Sequence, residues 1–183
     1  MEKFQFTQTK IAGLTEIRPF YADDHRGYLS KVYEKEIFAA NGIPIQPWEE
    51  LCSLSKKGVL RGLHFQKTHP QAKLVRVLRG EVYDVAVDLR GGSETYGKWA
   101  GVLLSGENHR QFMIPRGFAH GFVVLSETAE FAYKCDELYH PEDEGGIAWD
   151  DPEIGIQWPE AGEILLSEKD KKNPTLRECG VRF

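Results

Sequence analysis

The chain has 183 residues, of which 41% are hydrophobic and 28% charged, and its formal net charge at pH 7 is −5. This length fits one sizeable domain, and the composition is ordinary for a soluble globular protein. The negative charge argues against a general nucleic-acid binder, but an anionic small ligand needs only a local basic cluster. Because no apolar run approaches a membrane span and the N-terminal residues do not resemble a signal peptide, we expect a cytoplasmic protein without a membrane partner.

The distribution of turns predicts the fold class. No internal repeat or linker interrupts the sequence, so we expect a single domain over residues 1–183. Turn signals separate short apolar runs at intervals of roughly ten residues, which favours an all-β sandwich or barrel. The cysteines Cys52, Cys135 and Cys179 are widely spaced and form no Cys-x-x-Cys, so we expect free thiols rather than disulfides or a metal site.

The N-terminal part is predicted to contain short strands and one helix. Residues 4–20 are predicted to form two strands around Gly13, followed by a polar turn over residues 21–27. Within that turn Arg26 could bind a phosphate, but from this segment alone a solvated turn residue is the favoured interpretation. Residues 34–41 predict a helix that ends at Gly42, and the prolines in residues 43–48 require an extended segment.

The next strand, residues 60–66, carries a histidine on an alternating pattern. Alternation places the even-numbered residues on one face, namely Leu60, Gly62, His64 and Gln66. It places the odd-numbered residues on the other face, namely Arg61, Leu63 and Phe65. Arg61 is therefore expected opposite His64, unless a bulge or a second subunit changes its position.

A lysine is predicted on the apolar face of the following strand. In residues 73–79, Lys73 alternates with Val75 and Val77, so it should point into the core and need a partner. Asp84 lies on the inner face of a third strand, residues 82–89, and could be that partner. A second possibility is that the ammonium group of Lys73 reaches solvent.

Residues 112–115 are expected to lead into a turn, and further strands are predicted over residues 99–104, 121–125 and 130–135. In the last of them Tyr133 faces inward and is either a hydrogen-bonded core residue or a proton donor. After Tyr139 the chain becomes rich in turns. Near its end, Ser167 precedes charged residues, which is typical of a helix N-cap; a second interpretation is that Asp170 orients a histidine.

Two stretches have the spacing of the cupin double motif. The first runs from Gly58 through His64, Gln66 and Lys73 to Gly80, and the second is Pro-Arg-Gly-Phe-Ala-His over residues 115–120. Cupins that bind metals hold three His and one Glu at the slots that His64, Gln66, Lys73 and His120 occupy here. An ammonium group repels a divalent cation, so we expect no metal. A neutral histidine and a buried cation instead suit metal-free proton transfer.

Together these strings resemble the dTDP-4-dehydrorhamnose 3,5-epimerase family over nearly the whole chain. The matching segments occur in the family's order: residues 58–66, 73–77, 80–88, 96–99, 114–122, 131–134, 149–152 and 166–170. The resemblance implies an all-β cupin-type jelly-roll barrel with a few short helices, a homodimer, and no metal or organic cofactor. The implied substrate is a nucleotide-linked 4-keto-6-deoxy sugar that is inverted at C3 and C5 through an enolate.

The resemblance also implies roles for individual residues. His64 would be the base, held by Asp170; Tyr133 would be the acid, and Lys73 would stabilise the enolate. Tyr139 would stack on the nucleotide base. The residues implied to contact the substrate or its diphosphate are Arg26, Arg61, His120, Glu144 and Lys169.

The sequence departs from the family pattern at two places. Lys31 stands where family members usually carry Glu, and Glu49-Glu50-Leu51 replaces Gln-Asp-Asn. These departures leave open a single-site epimerase, or one acting on a dTDP-, GDP- or CDP-linked 4-keto sugar. A non-catalytic sugar-binding cupin and a 3,4-ketoisomerase are also compatible with the cupin frame. A metal-dependent dioxygenase-type cupin shares that frame too, but Gln66 and Lys73 disfavour it.

Overall fold

The computed structural model describes residues 4–183, which form mostly β-structure. The strands are β1 Gln5–Gln8, β2 Thr15–Arg18, β3 Phe20–Asp24, β4 Gly27–Lys31, β5 Glu49–Lys56, β6 Leu60–Gln66, β7 Lys73–Arg79, β8 Glu81–Asp88, β9 Trp99–Ser105, β10 Gln111–Ile114, β11 Phe118–Val124, β12 Thr128–Cys135 and β13 Glu144–Gly146. The helices are α1 Lys35–Ala40 and α2 Leu176–Cys179. Two single 3₁₀ turns lie at Pro141–Asp143 and Asp170–Lys172.

Two antiparallel sheets face each other. One has six strands in the order β1-β2-β10-β7-β12-β5, and the other has five in the order β13-β6-β11-β8-β9. Strands distant in sequence lie side by side, as the jelly-roll topology requires. The predicted all-β jelly roll is confirmed. Over residues 4–183 the two sheets stay separate, so the arrangement is a sandwich rather than a continuously hydrogen-bonded barrel.

The inner faces of the sheets make the main core. Alternation along each strand directs one apolar set inward, where Phe112, Phe118, Phe122 and Phe131 are among the buried residues. This packing fills one end of the sandwich. At the other end the inner faces carry polar side chains, and there they leave a cavity.

The outer faces are covered by the helices and by the C-terminal segment. Helix α1 confirms the predicted helix, and its Phe38 packs on the outer face of the six-stranded sheet. After β13 the chain wraps over the outer face of the five-stranded sheet, where Ile147, Ile154 and Leu176 are buried. A capping box between Thr175 and Glu178 begins α2. No helix in residues 4–183 is long and apolar enough to cross a membrane.

The N-terminal hairpin corrects one prediction. The polar turn predicted over residues 21–27 is largely two paired strands, β3 and β4, with the turn confined to residues 25 and 26. The rings of Tyr21 and Tyr28 lie 5.0 Å apart, and His109 stacks on Tyr21 at 4.3 Å. His109 comes from a distant loop, so a tertiary contact stabilises strands that the polar local sequence does not indicate.

Candidate active site

A cavity of about 580 Å³ opens between the two sheets. Its floor is formed by Phe122 and Phe131, whose rings stack with centroids 4.1 Å apart. Nine of the ten site residues predicted from the sequence line this cavity: Arg61, His64, Lys73, His120, Tyr133, Tyr139, Glu144, Lys169 and Asp170. The fold therefore brings together residues from five strands and from two segments outside the strands.

His64 and Asp170 form a tight pair at the cavity wall. Nε2 of His64 lies 2.6 Å from Oδ1 of Asp170, and Asp170 is only 5% exposed. Burial by itself would raise the pKa of Asp170, but the hydrogen bond with His64 and the imidazole charge hold it below its usual value. The Ser167 hydroxyl accepts a hydrogen bond from the Asp170 backbone N–H at 3.0 Å. Ser167 thus supports the backbone that presents Asp170, but the predicted helix N-cap at Ser167 is not formed, because the 3₁₀ turn Asp170–Lys172 begins after Lys169 without a side-chain cap.

A bulge in β6 corrects the predicted position of Arg61. The pairing of β6 with β11 shifts register between His120 and Phe122, so alternation is broken. Gly62 has φ +136°, and a Cβ there would lie 2.5 Å from the Cα of Gly121, so only glycine fits. As a result Arg61 lines the same cavity as His64, and its Nε donates to the Ser55 hydroxyl at 3.1 Å.

Lys73 and Tyr133 approach the cavity from the opposite sheet, on the adjacent strands β7 and β12. Nζ of Lys73 lies 5.9 Å from the centroid of the Tyr133 ring. Burial lowers the pKa of Lys73, although Cys135, Glu144, Asp84 and Glu49 oppose the shift. Burial, with help from Cys135 and Glu49, raises the pKa of Tyr133 to about 12. Tyr133 is thus a protonated phenol at neutral pH.

Asp84 does not form the ion pair with Lys73 that the sequence suggested. Its carboxylate instead lies 2.9 Å from Nε2 of His120, and Asp84 is fully buried. Burial raises the pKa of Asp84, while His120 and the more distant Lys73 oppose the shift. Within residues 4–183 Lys73 has no ion-pair partner within 4.0 Å. Its positive charge is therefore available to a molecule in the cavity.

Glu144 joins three cavity residues. It accepts a hydrogen bond from the Tyr139 hydroxyl at 2.6 Å, forms an ion pair with Lys169, and lies 4.0 Å from Nδ1 of His64. Burial would raise the pKa of Glu144, but the bonds from Lys169 and Tyr139 lower it on balance. The bond to Glu144 is the main cause that raises the pKa of Tyr139 to about 12. The network keeps a negative charge beside the imidazole.

Arg26 is the predicted site residue that the chain does not bring to this cavity. It lies at the tip of the β3–β4 hairpin, paired with Asp24, and its side chain is 78% exposed. The same hairpin carries Lys31, which pairs with Glu34 at 2.7 Å. Both residues therefore lie on the exposed β3–β4 hairpin and not on the cavity wall.

Strand β5 supplies cavity residues that the sequence pattern did not place there. Leu51 and Ser53 line the main cavity, and Glu49 lines an adjoining recess beside Lys73 and Tyr133. Glu50 points outward and pairs with Lys134. The alternation Glu49, Leu51, Ser53 was a usable signal, but a polar edge strand lacks the apolar pattern that normally identifies a strand. Of the departures from the family pattern, Glu49 and Leu51 thus face the site.

Among residues 4–183 the cysteines form no disulfide, and metal-ligand groups do not cluster. Cys52, Cys135 and Cys179 are all free thiols, as predicted. In the part of the chain that the structure describes, no group of three His, Cys, Asp or Glu side chains is placed to hold a metal ion.

A jelly roll whose facing sheets present a histidine–carboxylate pair, a lysine and a tyrosine defines the class: a cupin-type carbohydrate epimerase. The chain belongs to the dTDP-4-dehydrorhamnose 3,5-epimerase family, whose model matches residues 8–178. It is 52% identical over 183 residues to the dTDP-4-dehydrorhamnose 3,5-epimerase of Methanothermobacter thermautotrophicus, with 99% of each chain covered.

Solved structures agree with this assignment. The Legionella pneumophila dTDP-6-deoxy-D-glucose-3,5-epimerase, in complex with dTDP-4-keto-L-rhamnose, superposes with a TM-score of 0.93 at 48% identity, covering 95% of this chain and 93% of that one. A 3′-monoepimerase from Streptomyces bikiniensis, in complex with dTDP-quinovose, superposes with a TM-score of 0.87 at 32% identity, covering 94% and 89%. The same fold therefore occurs in a double and a single epimerase.

Proposed function

We propose that this protein inverts C3 and C5 of dTDP-4-dehydro-6-deoxyglucose and so produces dTDP-4-dehydrorhamnose. The observation that carries the proposal is the placement of a candidate base and a candidate acid on opposite walls of one cavity. His64 belongs to the five-stranded sheet and Tyr133 to the six-stranded sheet. Inversion at carbon needs a proton to leave from one face of the sugar ring and return to the other, and this arrangement provides both groups.

The first step is removal of a proton from the carbon next to the ketone. The C4 carbonyl acidifies C3–H and C5–H, and a neutral imidazole can accept the proton. The Asp170 carboxylate, 2.6 Å from Nε2, holds the His64 ring in place, leaves Nδ1 toward the cavity and stabilises the imidazolium that forms. The electron pair of the C–H bond forms a C=C bond to C4, and the π pair of the C4 carbonyl moves onto its oxygen to give an enolate. Lys73, which has no ion-pair partner among residues 4–183, stabilises that negative charge.

The second step returns a proton to the opposite face. The Tyr133 hydroxyl makes no hydrogen bond with another described residue, so it is free to donate to the carbon of the enolate. Its raised pKa keeps the proton on the phenol until the carbanion character of the enolate draws it away. The tyrosinate so formed lies near the Lys73 ammonium, which limits the cost of the new charge. The imidazolium then releases its proton to solvent and the tyrosinate takes one up from solvent, so that the same pair can invert the second carbon.

The remaining cavity residues are suited to hold the nucleotide diphosphate. Arg61, His120 and Lys169 supply hydrogen-bond donors along the wall. Tyr139 is 49% exposed at the mouth and presents an aromatic ring for stacking on the nucleotide base. Glu144 lies between Tyr139 and His64 and would orient the donors around the sugar.

We infer that the functional unit is a homodimer. The β3–β4 hairpin projects its Arg26 away from the cavity of its own chain, and the exposed Tyr28 and Leu29 lie beside it. A second copy would cover these residues and could receive Arg26 at its own cavity. Sedimentation of the protein at the mass of one 20.8 kDa chain would contradict this inference.

A single-site epimerase is the second candidate. It is supported by Glu49 and Leu51, which face the site where the family pattern has amides, and by the similar fold of the monoepimerase. An apolar Leu51 beside Tyr133 could restrict how far the ring turns between two proton exchanges. The number of carbons that exchange distinguishes the two functions.

Deuterium uptake tests the proposal directly. The protein would be incubated with dTDP-4-dehydro-6-deoxyglucose in D₂O, and label would be located by NMR. We expect deuterium and inversion at both C3 and C5. Label at one carbon would identify a single-site epimerase, and no label with folded protein would refute an activity on this substrate.

The burial of Lys73 predicts how the rate depends on alkaline pH. Because its pKa lies below the ordinary lysine value of 10.5, Lys73 loses its proton at a lower pH than an exposed lysine. We expect kcat to fall as pH rises through that lowered pKa, since the neutral amine no longer stabilises the enolate. Lys73→Arg keeps its charge over this range, so its residual activity should lack this limb of the pH profile. An identical alkaline limb in both proteins would show that another group titrates.

A further inference from the structure

Gln66 occupies a metal-ligand slot of the cupin frame, but its amide is used differently. It is 3% exposed and lies at the end of β6. Its Nε2 donates to the carbonyl oxygens of His69 at 2.7 Å and Leu138 at 3.1 Å. Its Oε1 accepts from the backbone N–H of His140 at 2.7 Å. All three polar positions of the side chain are thus taken by backbone groups.

Two of these bonds hold the peptide groups on either side of Tyr139. The Leu138 carbonyl belongs to the peptide bond before Tyr139, and the His140 N–H belongs to the peptide bond after it. Tyr139 lies between the end of β12 at Cys135 and the 3₁₀ turn that begins at Pro141, so no strand ladder supports it. The Gln66 side chain therefore takes the place of a neighbouring strand for this residue.

Further contacts hold the loop after β6 against the segment that contains Tyr139. The Asp143 carboxylate accepts hydrogen bonds from the backbone N–H groups of Thr68 and His69 at 2.8 and 2.7 Å. The imidazole rings of His69 and His140 stack with centroids 4.3 Å apart. The loop after β6 and the segment around Tyr139 thus form one unit, with the Gln66 amide in its interior.

We propose that Gln66 is a positioning residue for Tyr139: its amide holds the backbone on both sides of the tyrosine and so keeps the ring where it stacks on the nucleotide base. This inference rests on the proposed role of Tyr139 in nucleotide binding. Gln66 acts through Tyr139, which is remote from the reacting carbons. The position of Glu144 depends less on the Gln66 amide, because the backbone of β13 pairs with β6 and Lys169 forms an ion pair with Glu144.

The test measures binding of dTDP by calorimetry to four proteins: wild type, Gln66→Leu, Tyr139→Ala and the double variant. We expect Gln66→Leu to weaken binding about tenfold, because the stacking residue must be ordered on binding rather than beforehand. In the Tyr139→Ala background the same substitution should have no further effect. At saturating substrate, kcat of Gln66→Leu should stay within a few-fold of wild type, with the loss in KM.

Gln111→Leu is the matched control. Gln111 is also buried, at 1% exposure, and its Nε2 donates to the Val32 carbonyl at 2.9 Å, away from the cavity. It should lower the melting temperature without changing dTDP binding. If Gln66→Leu does not fold, Gln66→Glu replaces it in the test. Gln66→Glu retains the side-chain shape and the acceptor for the His140 N–H but loses both donated hydrogen bonds. It should weaken dTDP binding when Tyr139 is present and not in the Tyr139→Ala background.

The outcomes separate the two proposals. Wild-type binding by Gln66→Leu, or an equal loss in the presence and absence of Tyr139, would overturn the positioning role alone. Unchanged dTDP binding by Tyr139→Ala would overturn the stacking role of Tyr139 and the positioning role with it. A loss that Tyr139→Ala abolishes supports both.

Discussion

Replacing His64 by alanine is expected to reduce epimerisation by about 10³- to 10⁴-fold while the protein remains folded. The imidazole of His64 forms a short hydrogen bond, 2.6 Å, with the buried carboxylate of Asp170. His120 also lines the cavity and is bonded to Asp84 through its Nε2, but its proposed role is to contact the diphosphate and not the reacting carbons. The measurement is kcat for product formation together with the rate of deuterium uptake from D₂O, and both should fall together.

A second variant and a measurement of dTDP binding distinguish loss of the catalytic base from a general disruption of the cavity. His64→Gln fills most of the space and keeps a polar group near Asp170 but cannot accept a proton from carbon, so it should be nearly as inactive as His64→Ala. Both variants should bind dTDP about as well as wild type, because the proposed nucleotide contacts lie elsewhere in the cavity. Retention of more than a tenth of wild-type turnover by either folded variant would rule out His64 as the base.

Tyr133→Phe should separate proton abstraction from inversion. With His64, Asp170 and Lys73 intact, the enolate still forms, and the imidazolium can return a solvent-derived proton to the face from which it came. We therefore expect deuterium to enter the substrate with retained configuration, while the inverted product forms about 10²- to 10⁴-fold more slowly. NMR of the sugar recovered from D₂O distinguishes label with retention from label with inversion.

Tyr83→Phe is the control for this substitution. Tyr83 is also partly buried, and burial raises its pKa, but its ring packs against Trp158 outside the cavity. Its loss of a hydroxyl should leave the ratio of exchange to inversion unchanged. Inverted product at the normal rate from Tyr133→Phe would exclude Tyr133 as the acid. The proton donor would then be another group on the six-stranded sheet.

The local sequence predicted the fold class, the inward direction of Lys73 and the family. Short apolar runs between turn signals predicted an all-β fold, and the chain forms the expected jelly roll. The alternation of Lys73 with Val75 and Val77 predicted an inward lysine, because side chains on a strand repeat with a period of two. The spacing of Gly58, His64 and Lys73, with His120 later, identified the cupin frame and, with the longer strings, the family.

Only the tertiary structure decided which polar groups pair. Alternation along a strand predicts the face on which a side chain lies, but it does not predict which side chains of other strands lie close to it. Alternation put Arg61 opposite His64, and a bulge at Gly62 returned it to the cavity. Asp84 was expected to meet Lys73 and instead bonds His120, since β8 lies beside β11 in the sheet. The same is true of Gln66, whose amide reaches two peptide groups more than seventy residues away. Sequence thus determined the strands and the kinds of side chain they carry. Strand order, a bulge and the packing of one sheet against the other determined which of those side chains act together.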